Sequence, residues 1–365
     1  MLSSKIFLTA TTVVLLISLL VSIGFPSNNY SSDEDVEAIP IDGGAIGPES
    51  FDFNPFDGTG PYTGVSDGRI IKWLPRERRW TDFAITSPNR EGCGGPKLEH
   101  TCGRPLDLKF NKRNGELLIA DAYFGLLTVG PNGGLAKSLV SKVEGRSLMF
   151  TNSLDIDHTN GIIYFTDSSQ RYTRRDHMLV ILTNDKTGRL LKYDLESTKV
   201  TVLVHNFTFP NGVALSQDGN FLLVAETTNC RITRFWLKTR KAGTLEVFAD
   251  LPGYPDNIKV NEKGEFWVAM YSRESRILRW IHSKPWIVYA LRKLLPVNIV
   301  RVVSYIAKRG GEGLAIKLGV NGEILEMLED VKGKKWKHAS EVMERGEYFW
   351  IGSVENSFAV KLKIQ

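Results

Sequence analysis

The sequence is short of the residues that soft-metal and thiol chemistry require. Three cysteines and six histidines are scattered over 365 residues. His100, His158, His205 and His282 have no spacing that suggests a ligand set, which argues against a zinc site. There is no phosphate-binding glycine loop and no serine nucleophile elbow, so nucleotide-dependent and serine-hydrolase chemistry lack their usual marks. Charge of one sign is also missing. The net charge is only +5, with no long basic tract and no acidic tail, so nothing points to a nucleic-acid partner.

Charge is absent altogether from Ile6 to Phe25, twenty residues that follow Lys5. A run of this length can cross a bilayer as a helix. It is long for a signal-peptide core and reads as an uncleaved type II anchor, with Lys5 on the cytosolic side. Cleavage after Ser22-Ile23-Gly24 is the alternative. Either way the body of the chain enters the secretory lumen, with the endoplasmic reticulum or the vacuole as its address. Cys93 and Cys102 flank a short Gly- and Pro-rich loop, so a local disulfide is expected in an oxidising compartment, leaving Cys230 as a buried thiol. Asn29 and Asn206 begin N-glycosylation sequons.

Residues 1–25 are therefore the anchor or signal, 26–44 a polar linker, and 45–365 the folded body. The body repeats one phrase: a turn with Gly, a short apolar strand, a polar loop, another strand. "SDGRIIKWL", "RNGELLIADAYFGLLTV", "TNGIIYFTDSS", "QDGNFLLVAETTNCRITRFWL", "EKGEFWVAMYSRESRILRW" and "ERGEYFWIGSVENSFAVKLKI" are its instances. Gly115 to Gly161 is 46 residues, Gly161 to Gly219 is 58, Gly219 to Gly264 is 45 and Gly264 to Gly346 is 82. A period near 45 predicts an all-β, six-bladed β-propeller of four-stranded blades; a β-sandwich fits the period less well. The long last interval holds a further blade or an insertion. Within it, Ser283 to Gly311 has apolar residues at helical spacing among Arg and Lys, with Pro296 as a break. This predicts a helical insertion in the blade 5–6 region. It would cap the channel mouth, lie on a membrane surface, or pack against the side of the propeller.

Propellers bind ligands where inner strands converge on the central channel. Glu49 in "GPESFDF", Asn152 in "MFTNSLDID", Asn211 in "FPNGVALS" and Asp256 in "YPDNIKV" each stand just before an apolar inner strand. Asn152 lies nine residues before Gly161, Asn211 eight before Gly219, and Asp256 eight before Gly264. Equal offsets in successive blades put these side chains around one axis. Two carboxylates and two amides form an all-oxygen set that suits Ca²⁺. Taken singly, each is equally well a turn residue.

The phrases "CGRPLDLKFNKRNGELLIADAYFGLLTVGPNGG", "GIIYFTDSSQRY", "KTGRLLKYD", "PNGVALS", "VAETTNCRITRFWL", "PDNIK" and "WIGSV" together resemble the strictosidine synthase-like proteins of plants. The animal adipocyte plasma membrane-associated proteins are similar. The resemblance runs from about residue 45 to the end. It implies a six-bladed propeller, a lumenal or vacuolar address and a disulfide between Cys93 and Cys102. In the synthase a glutamate serves as general acid/base of a Pictet–Spengler condensation. By ungapped alignment its position falls here on Ser340, with Glu341 one residue away. His338 matches a family histidine and Tyr172 a site tyrosine. A serine cannot replace a carboxylate in proton transfer at neutral pH, so strictosidine formation is not expected. One step along a strand turns Glu341 to the other face unless the backbone bulges.

At the metal position the likeness runs to other propellers, of the gluconolactonase, paraoxonase and phosphotriesterase kinds. They keep Glu, Asn, Asn and Asp where the synthase has glycines at two places. This resemblance implies Ca²⁺ held by Glu49, Asn152, Asn211 and Asp256, with Asp256 as nucleophile or base. The paraoxonase-type histidine pair has no counterpart, since "CGRPLDL" lacks His. The leading expectation is a calcium-dependent hydrolase of a small-molecule ester, lactone or related compound. A Pictet–Spengler lyase and a non-enzymatic binding propeller with a structural metal are the alternatives. A membrane contact is expected through the N-terminal segment, and the 283–311 helices offer a second.

Overall fold

The computed structural model describes residues 36–94, 98–294, 312–330 and 335–364, together with 296, 297 and 300. Ile6–Phe25 and Asn29 lie outside the described residues. Among the described residues no helix is long and apolar enough to cross a membrane.

Six four-stranded sheets radiate from one axis as blades 1 to 6. Their inner strands are Tyr62–Gly64, Pro105–Phe110, Thr151–Asp157, Pro210–Leu215, Gly253–Val260 and Ala339–Arg345. The repeated glycine of the sequence marks the first hairpin turn of each blade. Gly68, Gly115, Gly161, Gly219, Gly264 and Gly346 all have φ between 60° and 80°, a region that side chains with a Cβ resist. The ring closes through Val36–Pro40, which pairs antiparallel with Phe358–Lys363 as the outermost strand of blade 6. This corrects the linker reading at Val36–Pro40. Only Ile39 of that strand is fully buried, so the sequence shows no alternation there. Joining the first strand to the last blade replaces two free sheet edges with a paired one.

Inner strands are buried on both faces, which look toward the two neighbouring blades. Every residue of Thr151–Asp157 is buried. Apolar clusters fill the seams between neighbouring blades. Phe221, Phe248 and Phe266 lie between blades 4 and 5, and Trp73, Trp80 and Trp350 between blades 6 and 1.

Four short helices matter for the site: α1 (Glu99–Cys102), α2 (His177–Leu182), α3 (Arg276–His282) and α4 (Pro285–Leu294). The helical insertion falls inside blade 5, between its second strand Phe266–Arg273 and its third strand Gly313–Leu318. The 82-residue interval is therefore one interrupted blade. The insertion reaches over the ring. A ring nitrogen of His282 lies 2.9 Å from the Ile181 carbonyl, and Arg292 Nε donates to the Thr183 carbonyl at 2.9 Å. These bonds dock α3 and α4 on α2. Leu179, Val180 and Leu278 from the helices join Leu106, Phe150 and Phe209 from the inner-strand ends in one buried cluster. Of the alternatives for the insertion, the described part is a cap over the channel mouth. Its outer side exposes Trp286 and Tyr289.

Candidate metal site

The inner strands share an irregularity that the periodic pattern hides. In five blades the register with the second strand shifts near the start, at Pro105/Asp107, Thr151/Leu154, Pro210/Val213, Pro255/Ile258 and Ala339/Glu341. A bulge lets two consecutive residues face one side. In blade 3 it serves Asn152 and Ser153 together. Asn152 bonds at the rim, while Ser153 Oγ donates to Asp107 Oδ2 of blade 2 at 2.6 Å and accepts from the Val213 N–H of blade 4.

Glu49, Asn152, Asn211 and Asp256 are all at least nine-tenths buried. Glu49 Oε2 lies 3.4 Å from the buried Arg104 guanidinium. Asn152 Nδ2 donates to Ser168 Oγ at 2.9 Å, and Asn211 Nδ2 to Thr227 Oγ1 at 3.2 Å. The Oδ1 atoms of both asparagines are buried and have no hydrogen-bond partner. Buried acceptors of this kind are uncommon and call for an explanation. Gly212 brings Asn211 close to blade 5: a Cβ there would lie 2.5 Å from Ile258 N and 2.8 Å from the Asp256 carbonyl.

The carboxyls agree with the amides. Burial pushes Glu49 up to about 7, against the pull of Arg104. Burial, and then the charge of Glu49, holds Asp256 well above the ordinary carboxylate range, against the neighbouring Asn211 side chain. Two carboxylates that burial would neutralise and two orphaned amide oxygens share one electrostatic neighbourhood. A hard cation satisfies both needs, and carboxylate and amide oxygens are what Ca²⁺ takes. The residues fit the ion. Among the described residues no group of three or more His, Cys, Asp and Glu side chains could hold a metal, so the candidate depends on the two amides.

The remaining expected residues flank this set. Ser340 Oγ donates to the Glu49 carbonyl at 2.6 Å, fixing the peptide of a candidate ligand. Glu341 does turn inward through its bulge, but its carboxylate is engaged. Oε1 accepts the Phe51 N–H at 2.8 Å and Oε2 lies 3.2 Å from Lys259 Nζ. A ring nitrogen of His338, Nδ1, sits 3.1 Å from the Tyr271 carbonyl, and the two rings stack with centroids 4.4 Å apart. A carbonyl only accepts, so Nδ1 donates to it. That Nε2 is buried and unpartnered. Tyr172 packs on the cap cluster. Cys93 and Cys102 form the expected disulfide, and Cys230 is free and buried. Asn206 is exposed on the outer strand of blade 3.

Several neighbours of the site escaped the sequence reading. Arg174 Nη1 bonds Glu99 Oε1 at 2.7 Å, and Tyr123 Oη donates to Glu99 Oε2 at 3.1 Å. Below the rim, Lys259 Nζ bonds Asp107 Oδ1 at 2.7 Å. One signal was present. Ser168 and Thr227 each follow their asparagine by 16 residues.

Comparison with known proteins now decides the family. The chain is 51% identical over 314 residues to the protein strictosidine synthase-like 10 of Arabidopsis thaliana, covering 85% of this chain and 83% of that one. The chain belongs to the strictosidine synthase-like family. A second member, strictosidine synthase-like 2 of the same plant, is 48% identical over 341 residues, or 90% of each chain. The family model described as strictosidine synthase matches residues 152–240, the stretch carrying both asparagines. Among solved structures, a calcium-binding regucalcin from Agrobacterium tumefaciens aligns with a TM-score of 0.58 at 16% identity, covering 89% of this chain and 91% of that one. A gluconolactonase of Xanthomonas campestris aligns at 0.53 and 13%, covering 92% and 100%. Likeness at such low identity establishes the shared propeller fold.

Proposed function

We propose that this strictosidine synthase-like propeller is a calcium-dependent hydrolase of small esters, lactones or related organic substrates. The observation that carries the reading is the pair of buried, unpartnered Asn152 and Asn211 amide oxygens, with Asn211 and Glu49 both close enough to Asp256 to act on its carboxyl. Bound Ca²⁺ supplies Lewis-acid polarisation of a carbonyl or phosphoryl oxygen. Glu49, Asn152, Asn211 and Asp256 hold the ion. Asp256 would take the proton of an attacking water, or would itself attack the acyl or phosphoryl centre and expel the alcohol, leaving an acyl- or phosphoryl-enzyme that water then cleaves. His338, whose Nε2 is buried and unpartnered, is a second candidate group for the chemistry. Tyr172 and the cap cover the apolar part of the substrate and exclude water. The gluconolactonase and the calcium-binding regucalcin among the fold neighbours support this reading.

The synthase reaction is not favoured, because Ser340 stands at the glutamate position with its hydroxyl on the Glu49 carbonyl, and Glu341 holds the Phe51 N–H and faces the Lys259 ammonium. The site of action in this reading is the lumen of the secretory pathway, endoplasmic reticulum or vacuole, with Ile6–Phe25 as anchor. The Cys93–Cys102 disulfide supports an oxidising compartment.

The test is a panel of esters, lactones and phosphotriesters, run with calcium and with chelator, with Asp256→Asn as control. Calcium-dependent turnover that Asp256→Asn abolishes is expected. A silent panel in a protein that binds calcium and melts higher with it would leave a binding propeller with a structural metal. Product from tryptamine and secologanin would restore the lyase reading.

A further inference from the structure

The two amides of the site are held by one repeated device. Asn152 Nδ2 donates to Ser168 Oγ, and Ser168 Oγ donates to the Pro210 carbonyl at 2.7 Å. One blade further on, Asn211 Nδ2 donates to Thr227 Oγ1, and Thr227 Oγ1 donates to the Pro255 carbonyl at 2.7 Å. The acceptors are not arbitrary. Pro210 precedes Asn211, and Pro255 precedes Asp256. Each hydroxyl thus ties one candidate ligand to the peptide that carries the next, across a blade seam.

The chemistry fixes a direction. A hydroxyl has one hydrogen, and a proline carbonyl can only accept. The hydrogen is therefore committed to the carbonyl, and toward the amide the hydroxyl can only accept. The amide must present its NH₂ group to the hydroxyl. Its oxygen must face the other way, and that oxygen is the buried, unpartnered Oδ1 in both residues. The oxygen–nitrogen assignment of an amide side chain is usually ambiguous; here the relay settles it twice. Without the hydroxyl, rotation about the last side-chain bond would offer NH₂, a donor that repels a cation.

We propose that Ser168 and Thr227 are positioning residues that orient the Asn152 and Asn211 oxygens toward the bound cation and set the spacing of ligands around blades 3, 4 and 5. The proposal rests on the calcium reading of the site. Outer partners of metal ligands are typically worth on the order of 10- to 100-fold in affinity.

The experiment uses the purified full chain and two probes. Calcium affinity is read by calorimetry. Terbium(III) replaces calcium for luminescence lifetimes in H₂O and D₂O, which count metal-bound water. Thr227→Val should weaken calcium binding on the order of 10-fold or more and add about one water to bound terbium as the amide oxygen turns away. Thr227→Ser, which keeps the hydroxyl, should bind like the wild type. A general loss of structure would not spare Thr227→Ser while raising the water count in Thr227→Val. Ser168→Ala tests the same device in blade 3 should Thr227→Val not fold. Unchanged affinity and water count in Thr227→Val and Ser168→Ala would overturn the relay while leaving the calcium reading intact. A wild-type chain that binds neither ion would overturn both.

Discussion

Lys259 Nζ lies 2.7 Å from Asp107 Oδ1, joining blade 5 to blade 2, its opposite across the six-bladed ring. The same ammonium lies 3.2 Å from Glu341 Oε2 of blade 6. Burial opposes the charge on Lys259, but Asp107 and Glu341 outweigh it and raise its pKa. The inner strands of blades 2, 5 and 6 are thus tied together by a buried cation of the chain's own. Lys259→Met would leave Asp107 and Glu341 without their partner in a buried place. Breaking one side of such a network costs about 3–5 kcal/mol. The expected result is a large loss in denaturant midpoint, measured in chelator so that calcium plays no part. Adding Glu341→Gln to Lys259→Met should recover part of it.

Calcium binding should depend on pH, with a sign that the two carboxyls fix. Glu49 stands at about 7 against an ordinary 4.5, and Asp256 is raised as well, both chiefly by burial. The folded, metal-free protein therefore binds protons that the unfolded chain has released. On their account its stability is highest at low pH and falls as pH rises from about 4.5 through about 7. A cation must displace those protons, at about tenfold in apparent affinity per pH unit for each proton. At fixed calcium, the rise in melting temperature should be small at pH 5 and large at pH 8. A rise independent of pH would exclude Glu49 and Asp256 as ligands.

The propeller was legible because its signal is repeated. Six glycines with positive φ punctuate six hairpins, and a period that recurs survives one interrupted blade. Asn152, Asn211 and Asp256 stand out for the same reason, at near-equal offsets from equal turns, whereas Glu49 has no such offset. The residues below and around them were not. Lys259 meets Asp107 across 152 positions, and nothing local announces such a pair. Glu341 was legible only as a condition on the backbone. Strand alternation assigns it the outer face, and only the bulge after Ala339 turns it inward. The closing strand Val36–Pro40 went unseen because a single buried residue leaves no pattern to find.

The disulfide has a functional neighbour. Cys102 ends α1, and α1 carries Glu99, which holds Tyr123 and Arg174 at the rim. A closed loop of this size restricts the unfolded chain by about 3 kcal/mol. Replacing both Cys93 and Cys102 with Ser should lower the melting temperature accordingly. The wild type should show the same fall in dithiothreitol, and the double variant should be indifferent to it. If the paired variant melts with the oxidised wild type, the loop is held by other contacts.

Gly212 offers the sharpest steric test of the site. It lies next to Asn211 in the inner strand of blade 4, close against the backbone of blade 5. A methyl group there would meet Ile258 N at 2.5 Å, Asn257 Cα at 2.7 Å and Asp256 O at 2.8 Å. These are backbone atoms, so the clash cannot be relieved by swinging a side chain. Gly212→Ala must push the two inner strands apart, at a cost on the order of 1–3 kcal/mol. The same push separates Asn211 from Asp256. The variant should therefore lose calcium affinity although every candidate ligand remains. Gly130→Ala, at a glycine without a positive φ and with nothing within 4 Å of an added Cβ, is the control for a general glycine effect and should bind calcium as the wild type does. If Gly212→Ala binds equally well, the seam between blades 4 and 5 does not set the spacing of the site.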